Sequence, residues 1–91
     1  MPKQVIPNRL WTYRKKKGLS QKRVAFLIAQ KNSSQLSHYE RGDKRPNLMN
    51  ALKLEILYRV PVAYLYHELY DKLRDDIQTR ESTLKKMLEK E

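Results

Sequence analysis

The sequence contains no cysteine, and only two glycines and four prolines occur among its 91 residues. Without cysteine the chain has neither a disulfide framework nor a thiolate metal site, and this composition fits a reducing compartment. The longest apolar run, from Val24 to Ala29, is far too short to cross a membrane, and the N-terminal MPKQVIPN has no apolar signal region. We therefore expect one small cytoplasmic domain with no membrane partner.

Acidic residues are scarce in the first half of the chain. Residues 1–45 contain 12 Lys and Arg against 2 Asp and Glu, whereas residues 46–91 contain 8 of each, so the whole formal charge of +10 lies in the first half. A field concentrated in this way attracts a polyanion. A basic surface that only keeps the protein soluble predicts no such asymmetry, so nucleic acid is the favoured partner.

No segment shows the alternating pattern of a strand, and the sparse Gly and Pro residues divide the chain into helices. Residues 1–6 form a loose N-terminal arm in this interpretation. Five helices follow, each bounded by a capping or helix-breaking residue. These boundary residues are Pro7–Asn8 and Gly18 for the first helix, Ser20 for the second, Asn32 or Ser33 and Gly42 for the third, Asn47 for the fourth and Pro61 for the fifth.

Apolar residues at helical spacing predict the inward faces of these helices. The inward residues are Val24, Leu27 and Ile28 in the second helix, Leu36 and Tyr39 in the third, and Leu48, Ala51, Leu52 and Tyr58 in the fourth. Glu55 also falls on the inward face of the fourth helix, where an unpaired carboxylate is costly. We expect Glu55 to reach solvent or to find a cation.

From about His67 the composition changes to helix formers without Gly or Pro. This change predicts two parts, residues 1–66 and a C-terminal amphipathic helix over residues 67–91. An apolar stripe at spacings of three to four or seven residues, interrupted by Arg80 and Glu81, runs along that helix: Leu69, Leu73, Ile77, Leu84 and Leu88. The stripe is either a dimer interface or a face that packs back on its own domain.

The third helix has an outward face of short polar side chains, which no core requires. Ser33, Ser34, Ser37 and His38 fall on one side, and Gln35 lies at its edge. The major groove of DNA admits one α-helix, in which such side chains bond to base edges. Two helices joined by a tight turn in a basic half therefore predict a helix-turn-helix. The alternative for each residue is an ordinary exposed surface position.

The ordered segments LWTYRKKKGLSQ, SQLSHYERGDKRPNL and LYRVPVAYL resemble the Cro/repressor-type helix-turn-helix domain of phage and bacterial regulators, over about Leu10 to Leu65. The resemblance implies an all-α, five-helix, lambda-repressor-like fold, here followed by an extended C-terminal helix. It also implies sequence-specific binding of double-stranded DNA by a transcriptional regulator, in the first place a repressor, with the helix 33–41 in the major groove.

The resemblance assigns roles to individual residues. Base contacts fall to Ser33, Ser34 and His38, with Asn32, Gln35 and Ser37 beside them. Phosphate contacts fall to Gln21, Lys31, Arg41, Lys44 and Arg45. Arg14 and Glu40 match a structural ion pair of the family. One departure is an extra residue in the turn 29–31, which also lacks the usual glycine, and which we expect to lengthen the second helix or shift the third.

Enzymatic motifs are absent from the sequence. It has two histidines but no HExxH, no CxxC and no glycine-rich phosphate loop, so we expect no catalytic residue, metal, cofactor or small-molecule substrate. A homodimer is expected, because such domains commonly contact two half-sites about one helical turn apart. Two alternatives remain open: an antitoxin-like module that binds a protein partner as well as DNA, and a non-specific nucleic-acid binder. Localisation would be the cytoplasm of a bacterial or phage-type system, on the nucleoid when bound.

Overall fold

The structure is a computed structural model that describes residues 5–90. Within that range six helices and no strand are present, which confirms the all-α fold with an extended C-terminal helix. The helices are α1 (Leu10–Lys16), α2 (Gln21–Leu27), α3 (Ser34–Arg41), α4 (Leu48–Tyr58), α5 (Val62–Leu65) and α6 (His67–Glu89). Most of the predicted N-terminal arm, residues 1–4, and residue 91 lie outside the described residues.

Helices α2 and α4 begin at the capping residues that the sequence predicts. Ser20 Oγ accepts a hydrogen bond from the backbone N–H of Arg23 at 3.1 Å, and Asn47 Oδ1 accepts one from Asn50 N at 2.8 Å. Each bond satisfies an N–H group that has no partner within its own helix. Gly42 ends α3 in the left-handed conformation, with φ of 81°. These boundaries are therefore set by local chemistry.

Helix α1 begins later than predicted, at Leu10 rather than near residue 8. The Asn8 side chain is the reason, because its Oδ1 accepts from Leu10 N at 3.1 Å and so caps the helix two residues further along. The amide nitrogen of the same side chain donates to the carbonyl oxygens of Ile6 and Tyr39, each at 3.0 Å. Asn8 thus ties the segment before α1 to the C-terminal end of α3.

The turn between α2 and α3 absorbs the extra residue without lengthening α2. That helix ends at Leu27, so the predicted lengthening is wrong. Ala29, in this turn without glycine, adopts a left-handed φ of 62°. This conformation costs an L-residue about 1–2 kcal/mol. The Gln30 N–H reaches back to the carbonyl of Ala25 at 2.8 Å, which closes the end of the helix.

The hydrophobic core is formed by α1 to α5 and by the residues that directly follow α2 and α5. Its buried members are Leu10, Val24, Ala25, Ile28, Leu36, Tyr39, Leu54, Tyr58, Leu65 and Tyr66. Leu27, predicted to face inward, is instead 54% exposed. It lies about a quarter of a turn away from Val24 and Ile28 around the short helix α2, so Ala25 completes the inward face in its place.

Helix α4 is rotated by about a quarter of a turn from the expected orientation, although Tyr58 is buried as predicted. Leu48 and Leu52 were predicted to face inward but are 75% and 46% exposed, so these predictions are wrong. Apolar residues lie on both sides of this helix, and periodicity therefore does not select its inner face. The rotation brings Asn50 into the core, where its Nδ2 donates to the Tyr39 hydroxyl at 3.1 Å.

Within residues 5–90 Glu55 makes no ion pair, and its side chain is not fully exposed to solvent. Its Oε1 accepts a hydrogen bond from Val62 N at 2.9 Å, and the residue is half-buried. Val62 is the first residue of α5, whose early N–H groups lack partners within the helix. The expectation for Glu55 is therefore corrected, because the carboxylate caps the next helix.

Helix α6 leaves the core soon after it begins. Leu69 packs against the core, but every residue from Lys72 to Lys90 is exposed. The helix has 23 residues, and none of them is buried. No helix within residues 5–90 combines the length and apolar character that crossing a membrane requires.

Two buried tyrosines provide a paired test of hydrogen bonding in the core. The Tyr58 hydroxyl has no hydrogen-bond partner in the described part of the chain, and burial raises the pKa of Tyr58 well above its usual value. Tyr58→Phe is expected to keep or raise the free energy of unfolding, by up to about 1 kcal/mol. Tyr39→Phe removes the acceptor of the Asn50 amide nitrogen and should lower the free energy of unfolding by about 1–2 kcal/mol. Urea denaturation measures the free energy of unfolding of both variants. An equal decrease in the two variants would contradict the assigned hydrogen bonding.

Candidate nucleic-acid interface

The inner side of α3 is fixed by apolar packing and by a chain of hydrogen bonds. Leu36 and Tyr39 are buried, at 0% and 5% exposure. The Tyr39 hydroxyl accepts from Asn50, whose Oδ1 accepts in turn from Gln30 Nε2 at 3.3 Å. Gln30 belongs to the turn before α3, so the turn and the helix are held by the same network.

A buried polar cluster joins α1, α2 and α3. Arg14 Nε lies 2.6 Å from Glu40 Oε2, and Arg14 Nη2 donates to Glu40 Oε1 at 3.0 Å, which makes the pair bidentate. The two side chains are only 8% and 5% exposed. Arg14 Nη1 also donates to the Leu19 carbonyl, and Gln21 Nε2 donates to Glu40 Oε1 at 3.0 Å. Hydrogen bonding to Glu40 raises the pKa of Arg14 above its usual value despite its burial.

Two of the predicted base contacts at the start of α3, Asn32 and Ser34, are hydrogen-bonded to each other. Asn32 Oδ1 accepts from the Ser34 backbone N–H at 3.0 Å and from the Ser34 hydroxyl. Asn32 therefore caps the helix with its side chain, and Ser33 at the N-cap position makes no side-chain capping bond. Lys31, Asn32 and Ser34 are exposed, whereas Ser33 and Gln35 are half-buried. The structure thus brings five predicted contact residues together at this end.

The other half of the outer face carries a second network, centred on Arg41. Arg41 Nη1 donates to Ser37 Oγ at 2.9 Å, and Arg41 Nη2 lies 2.9 Å from His38 Nδ1. His38 Nδ1 is also 2.9 Å from Asp43 Oδ1. The His38 ring, assisted by Arg41, holds the pKa of Asp43 below its usual value. A base contact by His38 therefore falls to Nε2, and Arg41 extends back across the outer face.

The remaining predicted phosphate contacts lie at different places around α3. Lys44 and Arg45 are exposed in the loop that follows α3, close in sequence to Arg41. Lys31 stands before the helix, at its opposite end. Gln21 is half-buried and its amide nitrogen is directed to Glu40, so it belongs to the buried cluster as well. Cations thus flank both ends of the outer face.

Three residues of this site were not singled out by the sequence. Asn8, Asp43 and Asn50 each hold α3 or its side chains through bonds to another segment. Asp43 directly follows the left-handed Gly42, which turns the chain back towards His38, so the pattern HYERGD contained a signal. Asn8 and Asn50 had only local signals, because their long-range partners depend on how the helices pack.

Comparison with known proteins assigns this geometry to a family. The sequence pattern of the Cro/C1-type helix-turn-helix family matches residues 12–65, and the chain therefore belongs to this family of DNA-binding transcription regulators. The fold is similar to the crystal structure of the restriction-modification controller protein C.AhdI from Aeromonas hydrophila, with a TM-score of 0.57 and 36% sequence identity. That alignment covers 64% of this chain and 86% of the other. No curated protein sequence matches. Helix α6 follows the family-matched segment.

Proposed function

We propose that the protein is a sequence-specific regulator that binds double-stranded DNA with α3 in the major groove and acts as a repressor. The observation that carries the proposal is the two-sidedness of α3. Leu36, Tyr39 and Glu40 fix its inner side, and its outer side presents polar side chains, among them His38 and Arg41. A helix that enters the groove needs this combination, because it must be held rigidly while its outer face meets base edges.

The proposed contacts divide into two kinds. Phosphate contacts set affinity and register, and base contacts set sequence preference. Phosphate contacts are assigned to the exposed cations at the end of and beside α3, which are Lys31, Arg41, Lys44 and Arg45, and to the half-buried amide of Gln21. Base contacts are assigned to Asn32, Ser33, Ser34, Gln35, Ser37 and His38, which share its outer face. Repression follows if the site overlaps a promoter, since a bound domain then excludes polymerase.

A homodimer is part of the proposal. One copy presents a single α3 and so contacts only a few base pairs, whereas two copies contact two half-sites about one helical turn apart. The candidate interface is the apolar stripe of α6, which includes Leu69, Leu73, Ile77, Leu84 and Leu88. Support comes from its exposure beyond Leu69, since the described part of the chain leaves most of this stripe uncovered.

Selection from a random duplex library, with sequencing of the retained DNA at near-physiological salt, tests the proposed function. The expected result is a two-fold-symmetric motif with half-sites about one turn apart. Retention without an enriched motif would replace the proposal by non-specific binding driven by the charge of +10. No retention would favour the protein-interaction module, and a pull-down of partners would follow.

Arg45→Ala is expected to weaken binding to all DNA sequences alike. Arg45 is exposed beside α3, and removing one phosphate contact should reduce the slope of log K against log salt by about one. Fluorescence anisotropy across a salt series measures both quantities. Lys90→Ala removes an equally exposed cation at the far end of α6 and should leave the slope unchanged. Equal slopes for both variants would remove Arg45 from the phosphate contacts.

His38→Ala is expected to change which base is preferred, by about 1–3 kcal/mol at one position of each half-site. The effect should appear in competition binding with single-base variants of the selected site. His67→Ala is the matched control, because His67 is half-buried at the start of α6 and bonds to Asp71 rather than to α3. A preference profile unchanged in His38→Ala would exclude the residue from the base contacts.

A further inference from the structure

Helix α6 carries a more regular exposed pattern than its leucines alone suggest. Residues spaced alternately by three and four positions form one line along the helix, which we name the α6 seam: Tyr70, Leu73, Ile77, Arg80, Leu84 and Met87. All six are exposed, and five of them are apolar or aromatic. A line with a period of 3.5 residues is the pattern by which α-helices pair as coiled coils. The seam also lies outside the family-matched segment.

The seam points away from the domain that carries it. The side of α6 that faces the N-terminal segment is made by Glu68, Leu69 and Lys72, which border a shallow groove together with Val5 and Ile6. Every residue of the seam is nevertheless exposed, including Leu73 at 49%, although Leu73 is only one helical turn from Leu69. The domain therefore leaves the seam uncovered, and a helix on a second molecule has access to its full length.

We propose that two copies of the chain pair through α6 as an antiparallel coiled coil, with Leu73 against Leu84 of the second copy. This inference rests on the homodimer of the proposed function and specifies its geometry. In this register Tyr70 faces Met87 of the second copy, so the apolar pairs occur twice, once on each side of the two-fold axis. The seam is symmetric about its centre, and an antiparallel pair therefore matches all of its positions.

The position of Arg80 distinguishes the two possible orientations. In the antiparallel register each Arg80 faces Ile77 of the other copy, and its long stem covers that apolar side chain while the guanidinium reaches solvent. A parallel pair in register instead places Arg80 against Arg80 at the seam, where like charges repel. The interruption of the apolar pattern thus favours the antiparallel pair.

Charges beside the seam favour the same orientation. Residues 67–78 contain 2 Lys and Arg against 4 Asp and Glu, and residues 79–90 contain 4 against 2, so the two halves have opposite net charge. Antiparallel pairing brings Arg74 to Glu81 of the second copy, whereas parallel pairing brings Asp76 to Glu81. In the single chain Arg74 bonds to Asp71 and Asp75, each at 3.2 Å on the exposed surface. Such surface pairs exchange partners at little cost.

The antiparallel pair also fits the proposed DNA contacts. A helix of 23 residues is about 34 Å long, and each domain joins α6 at its N-terminal end. The points at which the two domains join the coiled coil then lie at its opposite ends, about 34 Å apart, which is close to the roughly 34–36 Å between half-sites one turn apart.

Cysteine cross-linking tests the orientation without interference, because the chain has no cysteine of its own. Leu73→Cys and Leu84→Cys are prepared separately and oxidised alone and as a mixture. The antiparallel register predicts a disulfide only in the mixture, where it joins one Leu73→Cys chain to one Leu84→Cys chain. Like positions lie about 16 Å apart along such a coil, which is too far for a disulfide. Both sites are exposed, so the domain core stays intact, and circular dichroism checks the helix content.

The outcomes decide in both directions. A cross-link in the mixture alone supports the proposal. Homodimeric cross-links of Leu73→Cys by itself would show a parallel pair and overturn it. Sedimentation equilibrium of the unmodified chain should give about 22 kDa, twice the 11.0 kDa of one copy, and a monomer at tens of micromolar would also overturn it. The result of the DNA selection is independent of the cross-linking result. If the dimer cross-links as expected but no DNA motif is enriched, only the proposed function is rejected.

Charge reversal tests the register. Arg74→Glu and Glu81→Arg each create two repulsive contacts and should raise the dimer dissociation constant roughly 5- to 10-fold, while the double variant should restore it. Glu89→Arg reverses an equally exposed charge on the outside of the pair and should have no comparable effect. If the double variant instead dissociates more readily than either single variant, the proposed register is overturned, even if the dimer itself persists.

Discussion

Glu40→Ala is expected to lower the free energy of unfolding by about 3–5 kcal/mol, which removes much of the stability of a small domain. The variant leaves the Arg14 guanidinium buried, where it would keep only its bond to the Leu19 carbonyl. Gln21 loses the acceptor of its amide in the same step. Three helices meet at this cluster, so the loss acts on the packing of α3 as well as on the pair itself. Urea denaturation followed by far-ultraviolet circular dichroism measures the change.

Two further variants separate burial from charge. Glu68→Ala removes an exposed carboxylate at the start of α6, and its effect should stay within about 0.5 kcal/mol. The double variant Arg14→Met, Glu40→Leu replaces the pair by apolar side chains of similar size and should recover most of the loss, because no charge then remains buried. A loss in Glu40→Ala no greater than that in Glu68→Ala would show that the cluster contributes little to stability.

Gly42→Ala is expected to lower the free energy of unfolding by about 2–4 kcal/mol, more than the left-handed backbone alone explains. A Cβ atom at this position would overlap the Ile6 carbonyl oxygen and lie 2.8 Å from Ile6 N and 2.9 Å from Val5 Cγ1. The segment before α1 must then move away, and the hydrogen bond from Ile6 N to the Gly42 carbonyl, 2.9 Å long, is lost. Thermal and urea unfolding report the combined effect.

Gly18→Ala provides the matched control for this prediction. Gly18 has a similar left-handed φ of 69°, but a Cβ atom there would meet nothing within 4 Å. Gly18→Ala is therefore expected to lower the free energy of unfolding only by the cost of a left-handed backbone for alanine, about 1–2 kcal/mol. The difference between the two variants isolates the contact with Ile6. Equal losses would mean that the N-terminal segment yields freely and does not hold the end of α3.

Local chemistry made much of the fold predictable. Ser20 and Asn47 start their helices because a side-chain oxygen satisfies a free N–H nearby in sequence, and Gly42 ends α3 because it adopts a left-handed φ. Leu36 and Tyr39 were predictable as the inner side of α3 because the remaining face is polar. Capping bonds and left-handed glycines involve residues only a few positions apart, so they can be predicted from the sequence without knowing how the helices pack.

The errors arose where the choice depended on distant partners. α4 is apolar on two sides, and the burial of Leu54 and Tyr58 together with the bond from Asn50 to Tyr39 turns Leu48 and Leu52 to solvent. Glu55 bonds to a backbone N–H that becomes available only because α5 begins beside it. The outer face of α3 was predictable as a polar surface, but the link from Ser37 through Arg41 to His38 was not. That link depends on side-chain rotamers, which spacing does not specify.

The attachment of residues 6–8 to the end of α3 couples this segment to the proposed DNA-binding surface. Asn8 and Tyr39 are separated by 31 positions, yet two segments meet there through the bonds from Asn8 and between Ile6 and Gly42. Neither segment can shift without breaking the contacts of the other. Residues 6–8 are therefore bound to the C-terminal end of α3, directly before the loop that contains Lys44 and Arg45. Any change that perturbs residues 6–8 acts on the position of those cations, although it touches none of them.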